Sequence, residues 1–180
     1  MVDLAEIQAA YYMVAATGVL VAAAYYVMNI NNLQKSQKIT LETRYAQVFN
    51  MIFSPAISKE GLKHVYTIQR NLFTSVEEYN ELIKNKEFAE ADLFWRQIYE
   101  SGGAYVREGA IPIRYFAEMN AWFHLWMWEH YKEVIYEQRK IRQINNFYYQ
   151  WEYLYNTLKE YLAEHPELAP SRDAQLYHEF

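Results

Sequence analysis

Cysteine is absent from this chain. Disulfides, thiolate metal sites and cysteine nucleophiles are therefore excluded. Glycine and proline are scarce, with five and four residues among 180. Few positions can interrupt a helix. The many Ala, Leu, Glu, Lys, Gln and Arg residues then predict an all-α fold, and no strand pattern survives along the chain. Positive charge is also in deficit: 17 Lys and Arg face 22 Asp and Glu, for a formal net charge of −5. A nucleic-acid-binding surface needs a basic face, so nucleic acid is not an expected partner.

Catalytic and metal signatures are missing too. The sequence has no G-x-S-x-G, no phosphate loop, no G-x-G-x-x-G and no H-E-x-x-H. The Glu-x-x-His element of di-iron bundles is absent. Gly61, Ala121, Met127, Leu162 and Gln175 stand three residues before His64, His124, His130, His165 and His178. No metal and no cofactor are expected. Glu129, His130 and Glu133 come nearest to an acid–base group, but helix surfaces carry such trios routinely. Arg139, Lys140 and Arg142 read as a solvated helix end, where cations suit the dipole, with contact to anionic lipid headgroups as the alternative.

The next absence is informative in the other direction. From Ala9 to Asn29 there is no charged residue. As a helix, this stretch covers about 30 Å, the thickness of a bilayer core. A secretion signal requires a positive leading segment and a small-residue cleavage site. Here the leader "MVDLAEIQ" is acidic and polar "NINNLQKSQK" follows Met28. A soluble core helix rarely stays uncharged all round for so long. The stretch is read as a transmembrane helix, with Tyr11, Tyr12, Tyr25 and Tyr26 near its ends in the manner of an aromatic belt. Lys35, Lys38 and Arg44 lie on its C-terminal side only. The positive-inside bias then predicts a single-pass protein of the cell membrane, N-terminus outside and C-terminal domain cytoplasmic. Ala15, Gly18 and Ala22 share one helix face, a small-residue pattern that allows close approach of another helix in the membrane.

No proline or glycine intervenes between Gly18 and Pro55, so the helix is expected to continue out of the bilayer. Ile30, Leu33, Gln37, Leu41, Tyr45, Val48 and Ile52 recur at spacings of three and four, one stripe of a long helix, expected to bury against the domain's own helices, with another chain as the alternative. The expected organisation is a short flank at 1–8, a transmembrane helix at 9–29, a juxtamembrane helix at 30–54, a cytoplasmic helical bundle at 55–165 and a tail at 166–180. Ser58 is expected to cap one helix and Thr74 or Ser75 another. Gly102-Gly103 is expected to stop a helix or start a turn. A long helix follows from about Ile113 to Gln143, on which Phe116, Met119, Phe123, Trp126 and His130 form the stripe expected to enter the core. Trp122 and Leu125 fall beside it. A last helix is expected to carry Phe147, Trp151, Leu154, Leu158 and Leu162 and to end at His165-Pro166.

Three stretches together resemble an uncharacterised, largely archaeal prokaryotic family of single-span, membrane-anchored helical proteins, a domain of unknown function. They are the span running into "NLQKSQKITLETRYAQVFNMIF", the segment "YVREGAIPIRYFAEMNAWFHLWMWEHYKEVIYEQRK", and "WEYLYNTLKEYLAE". The resemblance implies an N-terminal anchor and a cytoplasmic helical domain. It implies no activity and no site residues.

The expected function is that of a non-catalytic interaction or scaffold protein, or an accessory subunit of a larger membrane complex. Its partners would be the lipid bilayer and a protein or second copy meeting the span and juxtamembrane helix. The alternative is an enzyme or small-ligand sensor with an aromatic pocket around Trp122, Trp126 and His130.

Overall fold

The computed structural model describes residues 3–169. Most of the expected tail at 166–180 therefore lies outside the described residues. Six α-helices and one 3-10 turn follow in order, with no strand among the described residues: α1 (Leu4–Phe53), α2 (Lys59–Arg70), α3 (Val76–Leu82), α4 (Lys86–Arg107), α5 (Arg114–Arg142), α6 (Tyr149–Glu164) and the turn Pro166–Leu168. The chain divides into two units, Met1–Arg44 and Tyr45–Phe180.

The first unit is the greater part of α1, a single helix of 50 residues. Asp3 starts it: its Oδ1 accepts the Ala5 N–H at 3.2 Å, satisfying one of the donors that every helix N-terminus leaves open. Nothing in the sequence then ends it before Pro55. Every residue from Asp3 to Leu41 is exposed. The apolar stretch is long enough to cross a membrane and contributes nothing to the core of the chain.

The second unit is a helical bundle. The end of α1 belongs to it, with Phe49, Ile52 and Phe53 buried. Local signals set the next boundaries as the sequence implies. Ser58 Oγ accepts the Gly61 N–H at 3.0 Å at the start of α2. Ser75 Oγ accepts the Glu78 N–H at 3.2 Å at the start of α3, and the Glu78 carboxylate reaches back to the Thr74 N–H at 2.7 Å. This reciprocal arrangement satisfies two donors at once. Helix α4 packs on α6 and α2, and α5 packs on α6. Phe88, Trp95, Tyr99, Phe116, Trp128, Tyr131, Trp151, Leu154 and Leu158 fill the space between them.

Two expectations need correcting. Gly102-Gly103 does not stop a helix: α4 runs through the pair to Arg107. The glycines mark a crossing, since a Cβ on Gly103 would lie 1.8 Å from the Gln150 carbonyl oxygen of α6. The stop comes at Gly109, which adopts φ +70°. The Gly109 N–H bonds to Val106 O at 3.0 Å and the Ala110 N–H to Tyr105 O at 2.9 Å. That pair of bonds closes a helix at a left-handed residue, where glycine is least strained.

The core stripe of α5 is the second correction. Its backbone leaves helical geometry at Asn120 (φ 177°, ψ 67°), and the Asn120 Oδ1 accepts the Phe123 N–H at 3.3 Å. Asn120 thus caps a new helical segment inside α5. Counting by 3.6 residues from Phe116 cannot be carried across this break. After it, His124, Met127, Trp128, Tyr131, Val134 and Ile135 are the buried face. Of the expected stripe only Phe116 is fully buried. Met119 is exposed, and Phe123, Trp126 and His130 are half-buried.

Candidate functional site

In the first unit, Ala15, Gly18 and Ala22 are exposed along α1, and beyond the adjoining residues and backbone of its own helix nothing comes within 4 Å of where a Gly18 Cβ would be. Thr17 Oγ1 donates to Met13 O at 2.8 Å, so this hydroxyl is satisfied within the helix. The surface is apolar and small.

In the second unit, the residues singled out on α5 do come together. Trp122, Trp126 and His130 are four residues apart, and their rings form a column up the helix. Trp122 and Trp126 stack with centroids 5.8 Å apart, and Trp126 and His130 with centroids 5.1 Å apart and planes within 11°. Phe73 extends the column onto His130 at 4.1 Å, and Phe123 flanks Trp126 at 5.9 Å. Rings this close are in contact with each other. They line no gap between them that a ligand fills. Burial pushes the His130 imidazole down to about 4, so it is neutral at pH 7. Glu129 binds elsewhere, to Lys132 at 2.6 Å and to the Tyr155 hydroxyl. The trio Glu129, His130 and Glu133 therefore does not converge on one point.

The basic cluster is likewise occupied in building the fold. Arg139 pairs with Glu152 at 2.7 Å and donates to Phe147 O at 2.8 Å, which ties α5 to the start of α6. Lys140 pairs with Glu137 at 3.3 Å, and the Arg142 guanidinium lies 4.8 Å from the Phe147 ring centre.

Two buried polar groups lie outside every sequence expectation. Asp92 and Arg96 of α4 form an ion pair inside the bundle. The Tyr79 hydroxyl of α3 donates to Asp92 Oδ2 at 3.2 Å, and Arg96 Nη1 donates to Gln138 Oε1 of α5 at 3.1 Å. The guanidinium also faces the Tyr148 ring at 5.0 Å. Burial holds the Asp92 carboxyl above the ordinary carboxylate range despite the pull of Arg96. Removing either partner alone would strand a charge, which is why such pairs order the helices that contribute to them. The second group is His124, where the end of α1 meets α5. Its Nδ1 lies 3.2 Å from the Tyr99 hydroxyl. Phe53 and Phe116 enclose the ring at 5.8 and 5.4 Å, and burial drives its pKa down to about 3.

The sequence held one usable signal for the ion pair. Asp92 and Arg96 fall among Phe88, Ala91, Trp95 and Tyr99 on the apolar side of α4, not opposite it. Among the described residues, no three His, Asp or Glu side chains gather in a way that would hold a metal ion. No protein-family model matches the chain, and neither does any curated protein or solved structure.

Proposed function

We propose that the protein is a single-span, membrane-anchored interaction protein without catalysis of its own, working as a scaffold or as an accessory subunit of a larger membrane complex. One observation carries this reading. The apolar stretch of α1 is exposed along its whole length, while the bundle fills its own core from other residues. A lone exposed helix of this composition gains most of its stabilisation from lipid or from another helix. The lack of Lys and Arg before Lys35 and the basic residues from there on favour an external N-terminus and a cytoplasmic bundle. In the bundle, the groups whose ionisation burial perturbs most, Tyr99, His124, Tyr131 and the Asp92–Arg96 pair, sit inside the packed core. That favours docking over chemistry. The closed stack of Trp122, Trp126 and His130 favours a contact face over a pocket.

Alkaline carbonate extraction of membranes, followed by intact-mass measurement, tests the anchor. The expected result is a pelleted protein whose mass still includes residues 9–29. Release into the supernatant, or a mass lacking the N-terminal segment, would overturn the reading in favour of a peripheral protein or a cleaved signal.

A further inference from the structure

Beyond the bilayer stretch, α1 continues as an exposed helix before the bundle's own unit begins at Tyr45. Its surface is sorted. At about 100° per residue, Ile30, Leu33, Gln37 and Leu41 lie on one side of the helix. Ile30, Leu33 and Leu41 remain 39%, 59% and 47% exposed, a stripe of large apolar side chains in the segment that leaves the membrane. Lys35 and Glu42 lie on the other side, Lys38 lies at the flank beside Leu41, and Glu6 at the far end of the helix is also turned away. Gln34 and Gln37, with Asn29 at the edge, are the strongly polar residues of this segment on the stripe side, and all three are amides.

We propose that this face pairs with the same face of a second copy of the chain, in parallel. The inference rests on the anchoring reading, because a shared span fixes both copies in one orientation and at one height. In a parallel pair each residue meets its own counterpart. Identical charges would repel there, whereas identical aliphatic side chains pack. An amide carries both donor and acceptor, so it bonds to a copy of itself. From Ile7 to Leu41 the stripe side meets that condition: its residues are apolar, hydroxyl-bearing or amide, and the charges of this stretch lie at its flank or turned away. A foreign partner imposes no such rule and is commonly matched by complementary charge. Gln37, set between Leu33 and Leu41, fixes the register as a polar residue does in a two-stranded coil. Arg44 ends the seam, since two copies of it cannot pair, and it is also the last residue of this unit. Ala15 and Ala22 fall toward the same side, whereas Gly18 lies more than a quarter-turn from the centre of the stripe.

The absence of cysteine makes the test direct. Four single variants of the full chain, Leu33→Cys, Leu41→Cys, Lys35→Cys and Lys38→Cys, are reconstituted in phosphatidylcholine vesicles, washed at alkaline pH and mildly oxidised. Any disulfide-linked dimer then reports the introduced residue alone. Leu33→Cys and Leu41→Cys are expected to cross-link several-fold more than the two lysine variants. Adding Leu33→Lys to Leu41→Cys is expected to lower its yield by setting like charges together. Equal yields at all four sites, or none at the leucines, overturn the pairing while protein retained by the vesicles leaves the anchor standing. Protein lost in the alkaline wash overturns both.

Discussion

Gly103→Ala is expected to destabilise the bundle more than any other single methyl group added to it. A Cβ at this position would sit 1.8 Å from the Gln150 carbonyl oxygen and 2.4 Å from its carbonyl carbon. These are backbone atoms of α6, whose first turn is held by Glu100 of α4 through the Trp151 N–H at 3.0 Å. The obstacle cannot rotate away as a side chain would, so the two helices must separate. Alanine in place of a helical glycine gains about 1 kcal/mol in propensity. Parting a packed helix pair costs far more, and the net loss is expected at roughly 3 kcal/mol or above. Gly102→Ala is the control. There the near atom is Phe116 Cζ at 2.9 Å, the edge of a ring that can shift. All five tryptophans lie in the bundle's unit, so denaturation of the full chain in detergent, followed by tryptophan fluorescence, reads this unit directly. The expected order of stability is unchanged protein, then Gly102→Ala, then Gly103→Ala. A Gly103→Ala protein as stable as the unchanged one would contradict the close crossing.

Trp128→Ala is the second large effect. Trp128 is 1% exposed. Its ring meets Trp151 edge-on at 5.5 Å and lies 5.8 Å from Tyr155, so it joins α5 to α6 across the core. Truncation removes a large buried side chain and leaves a cavity, at a cost of about 3–5 kcal/mol. Trp126→Ala is expected to cost less than half as much, because Trp126 is half-buried and stacks along its own helix on Trp122 and His130. The same unfolding measurement separates the two. Equal losses would place Trp126 in the core and restore the stripe that periodicity alone suggests.

That reversal between Trp126 and Trp128 indicates what a sequence carries and what it hides. Ser58, Ser75 and His165-Pro166 act on their own neighbours, and their effects on helix ends are legible from spacing. The exposed apolar length of α1 is legible for the same reason: composition alone decides it. Gly102-Gly103 is different. A glycine pair has the same local signature in a turn as at a crossing, and only the approach of α6 distinguishes them. Asn120 hides in a similar way. One capping residue inside a long apolar run resets the helical phase, and the buried face moves from Trp126 to Trp128. The Asp92–Arg96 pair reads locally as an ordinary four-residue ion pair. Its burial depends on Tyr79, Gln138 and Tyr148, drawn from separate parts of the chain. In the candidate contact sites, the column of Trp122, Trp126 and His130 was legible as residues four apart. Its closure by Phe73 was not.

We propose that α1 crosses the membrane once, with the bundle inside the cell. Labelling with a membrane-impermeant maleimide tests it most directly, because the chain has no cysteine of its own. Glu6→Cys and Lys140→Cys place single thiols before the span and on an exposed position of α5. In intact cells the account requires label at position 6 and none at position 140, with both labelled once the membrane is permeabilised. Label at position 140 in intact cells, or protection of both sites until permeabilisation, would contradict it.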